Sequence, residues 1–201
     1  MYATRAETSD AIRIRNIVLF IKRDQLQPET RRPYAELVVE RMASALRSPL
    51  RELFSGDTFL IPVPGAGLTR PKTVWPALSI CEALRTTGLG ASVTTVLRRV
   101  RAVPKSAGSQ NRPSLHDHYE SFAVQGTLDR PKSIVLVDDV VTSGTTLMAG
   151  ARRLNEAFSG AVITAFALAR VHSTGEPPHL VQPVIERIVV AGARCRREPL
   201  S

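Results

Sequence analysis

Two adjacent acids followed closely by a run of small hydroxyl residues are the part of this sequence best equipped for chemistry. Asp138 and Asp139 stand at the end of Ser133-Ile134-Val135-Leu136-Val137, and only Val140-Val141 separates them from Thr142-Ser143-Gly144-Thr145-Thr146. Ionised carboxylates accept hydrogen bonds, so the acidic pair suits vicinal hydroxyls. Small residues around a glycine at a helix start leave backbone N–H groups free, and the helix dipole adds to their attraction for a phosphate. One end of this stretch therefore suits a ribose and the other its 5′-phosphate.

Other hydrophobic strands also end in paired acids. A receiver domain would need most of its chain after the acids, where only residues 140–201 remain. An ATPase would need GxxxxGK[ST], which the sequence lacks. An acidic helix cap would explain neither the second acid nor the TSGTT loop.

A second glycine-containing loop, Pro64-Gly65-Ala66-Gly67-Leu68-Thr69-Arg70, follows the apolar run 58–63. Glycines let a backbone approach an anion closely, although a plain turn would read the same way. As a dinucleotide fingerprint the stretch fails, because Arg70 occupies the place of the third glycine. Further on, Arg98, Arg99, Arg101, Lys105 and Arg112 precede the first acid, Asp117. Such a run is a solvated face or an anion-binding loop. His116-Asp117-His118 offers two imidazoles and a carboxylate but no third ligand at a recognisable spacing, so surface or substrate contacts are expected rather than a metal. Trp75 and Cys81 are expected in the core.

The elements that must hold these residues follow from apolar patterning. Residues 11–21 fit strand or helix; Tyr34 to Leu46 forms an amphipathic helix opened by Pro33. A strand at 58–63 is followed by a helix from Val74 to Arg85 and a strand from Ser92 to Val100. Residues 101–118 read as a long loop, Tyr119 to Val124 and Ser133 to Val137 as strands, Thr145 to Phe158 as a helix and Ala161 to Leu168 as a strand. Val184 to Val190 is placed at the edge of the same sheet. With 201 residues, 43% hydrophobic and only 5% aromatic, the chain is expected to form one α/β domain with a mainly parallel sheet between helices.

The formal net charge of +9 favours anionic partners and leaves nucleic acid open. Two cysteines far apart suggest neither zinc nor disulfides and fit a reducing cytoplasm. No stretch reads as a signal peptide or membrane span.

The 13 residues 134–146, IVLVDDVVTSGTT, resemble the PRPP-binding signature of type I phosphoribosyltransferases. The resemblance implies a core of about 35–170 and a variable hood from 1–57 and 170–201. It also implies Mg²⁺ held with PRPP, ribose hydroxyls on Asp138 and Asp139, and the 5′-phosphate on Thr142, Ser143, Gly144, Thr145 and Thr146. By the same resemblance Gly65, Ala66, Gly67 and Arg70 or Lys72 take pyrophosphate. The resemblance also makes Lys105 and Arg112 the catalytic candidates, on a loop expected to close over PRPP and neutralise the departing pyrophosphate, and it implies a homodimer. The implied reaction transfers ribose-5-phosphate to a nitrogenous acceptor; a non-catalytic PRPP sensor or a ComF-like DNA-processing accessory protein is the alternative. TSGTT is similar to the orotate and ComF-like branches, since Thr142 stands where many purine enzymes carry an acid, yet the ComF zinc cysteines are missing.

Overall fold

The computed structural model describes residues 9–45, 51–54, 57–67, 74–104, 112–171 and 184–200, with backbone alone for 9–14 and 45. Lys105, Arg70 and Lys72 lie outside the described residues.

Four strands, β1 (Phe59–Pro62), β2 (Ser92–Val93), β5 (Ser133–Val141) and β6 (Val162–Arg170), form a parallel sheet in the order β2-β1-β5-β6. The alternation of a strand decides which residue faces which layer. Leu60, Val135 and Val137 enter one core with Ile21, Val39, Ile80 and Leu84. These come from α1 (Ser9–Lys22), α2 (Tyr34–Ala45) and α3 (Pro76–Thr86). Ile61, Ile134 and Leu136 enter the other core with Leu97, Leu115, Phe122, Leu147 and Leu154. That side is covered by α4 (Leu115–Ser121), α5 (Thr145–Ala157) and the short antiparallel pair β3 (Leu97–Arg99) and β4 (Phe122–Val124). Burial on both faces accounts for strands that are continuously apolar, and each fully buried Leu or Ile contributes about 2 kcal/mol. A hairpin of β7 (Glu186–Ala191) and β8 (Arg194–Pro199) completes the structure.

The α/β expectation with a parallel sheet between helices holds; residues 11–21, which fitted strand or helix, are helical, and the boundaries differ in four places. The expected strand 92–100 is two short strands, because Thr94 to Val96 leave the main sheet and β3 pairs with β4 instead. The loop after Val100 ends at Ser114, whose side chain accepts from Asp117 N–H at 3.1 Å while Asp117 Oδ2 accepts from Ser114 N–H at 2.8 Å. This capping box starts α4, so 119–121 are helix rather than strand. Residues 186–190 form a hairpin with β8 rather than an edge of the main sheet. The fourth difference bears on the site: β5 does not stop at Val137 but runs through both acids to Val141.

Candidate functional site

β1 pairs with β5 only as far as Pro62 opposite Val137, with Val63 N–H reaching Val137 O at 2.8 Å. Beyond that point β1 turns away into Pro64-Gly65-Ala66-Gly67, while β5 stays paired with β6 up to Val141 opposite Arg170. A notch opens at the carboxyl ends of the strands, the place where open α/β sheets take ligands. Asp138 and Asp139 line it from a strand that is hydrogen-bonded along one side.

Both acids are half-buried. Asp138 Oδ1 accepts from Asp139 N–H at 2.9 Å, and Asp139 Oδ1 accepts from Val140 N–H at 2.8 Å. Burial first, and the charge of Asp139 second, hold the Asp138 carboxyl well above the usual carboxylate range. A raised carboxyl beside a second acid fits a site whose ligand brings hydroxyls and a cation. Among the described residues no cluster of three or more His, Cys, Asp or Glu could hold a metal. Two carboxylates can share Mg²⁺ with ligand oxygens, which is how this hard cation is commonly held.

After Val141 the chain makes the 142–144 turn and enters α5. Gly144 caps the helix with φ 83° and offers no side chain to its first amides, so these remain available to an anion. A Cβ there would also sit 2.7 Å from Ile188 Cδ1 of β7. Thr145 is buried; its Oγ1 lies 2.9 Å from Ser143 Oγ and accepts from Cys195 N–H at 3.1 Å. Thr146 Oγ1 lies 3.4 Å from His118 Nε2. The expected phosphate loop is thus a half-open cradle braced from behind by the β7–β8 hairpin and α4.

Across the notch, Gly65 and Gly67 have open space where a Cβ would stand. Val103 N–H donates to Ala66 O at 2.9 Å, so the start of the basic segment is fastened to this loop. Arg112 is exposed, and its carbonyl accepts from Arg194 Nη2 at 3.1 Å.

Several side chains take places other than those expected. The His116-Asp117-His118 group is dispersed: His116 is exposed, Asp117 serves the capping box, and His118 is buried at 4% exposure rather than at the surface. Its Nδ1 has no partner among the described residues, and burial, helped by the charge of Arg99, pushes its imidazole down to about 4. The signal was present in the spacing of Leu115, His118 and Ser121, which brings one face of a short helix inward. Arg99 is not part of a solvated run but is buried at 5% exposure. Its alternation with Leu97 along a strand indicates the same inward face. Trp75 is half-buried, its Nε1–H donating to Val63 O at 2.7 Å and Arg98 lying 5.7 Å above its ring, while Cys81 is core. Both cysteines are free and buried. Among the described residues no helix is long and apolar enough to cross a membrane.

The model of the phosphoribosyl transferase domain family matches residues 31–197. Among solved structures, an adenine phosphoribosyltransferase is similar at 14% identity and a TM-score of 0.42, over 66% of this chain and 69% of that one. A hypoxanthine phosphoribosyltransferase from Staphylococcus aureus gives 8% and 0.40, over 69% and 75%. A purine phosphoribosyltransferase from Pyrococcus horikoshii Ot3 gives 17% and 0.37, over 75% and 94%. No curated protein matches the chain.

Proposed function

Because this chain belongs to the phosphoribosyl transferase domain family, we propose that it binds PRPP with Mg²⁺ and transfers ribose-5-phosphate to a nitrogenous acceptor, releasing pyrophosphate. The observation that carries the proposal is the notch itself: an acidic pair on β5 lies between a helix-start cradle and the glycine loop that leaves β1. These three parts match a sugar bearing a phosphate at one end and a pyrophosphate at the other.

In this reading Asp138 and Asp139 accept from the ribose hydroxyls and orient the anomeric carbon. Thr142, Ser143, Gly144, Thr145 and Thr146 hold the 5′-phosphate, and Gly65, Ala66 and Gly67, with Arg70, take the leaving pyrophosphate. Mg²⁺ bound with PRPP would neutralise charge on the departing group, and Asp138 and Asp139 are the residues to share it. Lys105 and Arg112 belong to the segment proposed to close over the ligand, which would exclude water from an activated sugar. The chain's contribution is then mainly orientation and preorganised charge. The segments 1–57 and 170–201 are proposed to form the hood over a single domain and to select the acceptor.

The test is titration calorimetry with PRPP, with and without Mg²⁺, followed by pyrophosphate release across a panel of nitrogenous bases. Mg²⁺-dependent binding with release by one base is expected. Binding without release by any base would favour a sensor, and no binding would overturn the proposal.

A further inference from the structure

Arg99 makes an unusual set of contacts for a buried cation. Its Nε donates to Gly65 O at 2.6 Å and its Nη2 to Pro64 O at 3.3 Å. Nη1 donates to Ser121 Oγ, and the guanidinium lies 4.2 Å from the centre of the Phe122 ring. Every one of these partners is uncharged, and among the described residues no carboxylate pairs with Arg99. Burial pulls its guanidinium down to about 10, partly offset by Asp138, so it remains charged at neutral pH. A buried charge normally has a counterion.

The peptide plane gives the grip a consequence. Peptide bonds here are trans, so each unit's C=O and N–H point in opposite directions. With the Pro64 and Gly65 carbonyls drawn inward to Arg99, the N–H groups of Gly65 and Ala66 are turned away from it. Neither has a hydrogen-bond partner among the described residues. Open space at Gly65 and Gly67 leaves room for a ligand beside them. Lysine could not reproduce this, because a single ammonium lacks the planar fork that reaches two carbonyls and a hydroxyl together.

We propose that Arg99 is a positioning residue for the pyrophosphate end of the ligand: it turns the Gly65 and Ala66 N–H groups out as a donor pair, and the charge of bound pyrophosphate would add to that of Asp138 in offsetting a guanidinium that no carboxylate contacts directly. The inference rests on the proposed reading of residues 64–67 as the pyrophosphate loop. It deepens that reading, because Arg99 acts through backbone from behind the loop, without touching the ligand.

The experiment titrates pyrophosphate and ribose 5-phosphate separately, each with Mg²⁺, into the wild-type chain, Arg99→Lys and Arg99→Gln, with a thermal melt of each. Arg99→Gln is expected to weaken pyrophosphate binding at least tenfold and to leave ribose 5-phosphate within twofold; Arg99→Lys falls between. Equal pyrophosphate binding by Arg99→Gln, or a parallel loss of both ligands, would overturn the proposal. Should Arg99→Gln not fold, the wild-type chain decides by ¹⁵N NMR. Gly65 and Ala66 amides and Arg99 Nε–H must shift with pyrophosphate and stay in place with ribose 5-phosphate; unmoved signals overturn it. A wild-type chain that bound ribose 5-phosphate but not pyrophosphate would remove the loop assignment, and one that bound neither would remove the proposed function itself.

Discussion

The hydroxyl of Thr145 accepts a 3.1 Å hydrogen bond from the backbone N–H of Cys195, and so ties the first turn of α5 to the β7–β8 hairpin. Ile188 of the same hairpin fills the space beside Gly144. The cradle proposed for a phosphate is therefore shaped by residues well separated in sequence.

Gly144→Ala should disturb this arrangement twice. The left-handed backbone disfavours any side chain, and the new Cβ meets Ile188. A loss of about 1–3 kcal/mol in denaturant unfolding is expected, with weaker binding of ribose 5-phosphate. Adding Ile188→Ala should recover part of the binding loss by making room, whereas the backbone strain stays. A double variant no better at binding than Gly144→Ala would show that the contact does not matter.

Asp139→Asn should separate stability from binding. Removing its charge leaves burial, the larger cause, and relieves the repulsion that further raises the Asp138 carboxyl. Unfolding at neutral pH should show stability equal to or above wild type, while PRPP affinity falls at least tenfold, about 1.4 kcal/mol. Unchanged affinity would exclude the acid from the ribose site.

His118 should make stability depend on pH. Its imidazole is held down to about 4 in the folded chain, against an ordinary value near 6.5, chiefly by burial. Unfolded chains therefore take up a proton that folded ones refuse between these values. The stability present above pH 6.5 is lost progressively as pH falls towards 4, on the order of 3 kcal/mol for this group. The raised Asp138 carboxyl works in the opposite direction, so the informative quantity is wild type minus His118→Gln. That difference should fall between pH 7 and 5; a flat difference would mean that His118 titrates normally.

Glu186 holds the hairpin by accepting from Arg170 at 3.0 Å and Arg197 at 2.9 Å. Glu186→Gln should raise amide exchange across 186–199 and weaken ribose 5-phosphate binding two- to tenfold, through Ile188 and Cys195 rather than by contact. Faster exchange with unchanged binding would sever the link between hairpin and cradle.

The sheet core and the cradle were legible because each is local: IVLVDDVVTSGTT carries its own strand, acids and helix start. What escaped reading depended on neighbours distant in sequence. Nothing within residues 98–101 distinguishes an arginine drawn inward by Ser121 and two loop carbonyls from one left in water, except its alternation with Leu97. β5 continues past Val137 because pairing with β6 persists after pairing with β1 has ceased, a property of the sheet rather than of the strand. The hairpin at 186–199 has the same apolar alternation that an edge strand would have, and only its register shows that it folds on itself.

The register of β1 against β5 also bears on how the molecule comes into being. Thr58 and Ser133, hydrogen-bonded through their side chains at 3.2 Å, are 75 residues apart. Parallel strands brought together over such spans form slowly, because the chain entropy is lost before the contacts are gained. The notch exists only once those two strands are side by side. In a refolding experiment, ligand binding should therefore emerge with the slow cooperative step, after helices have formed.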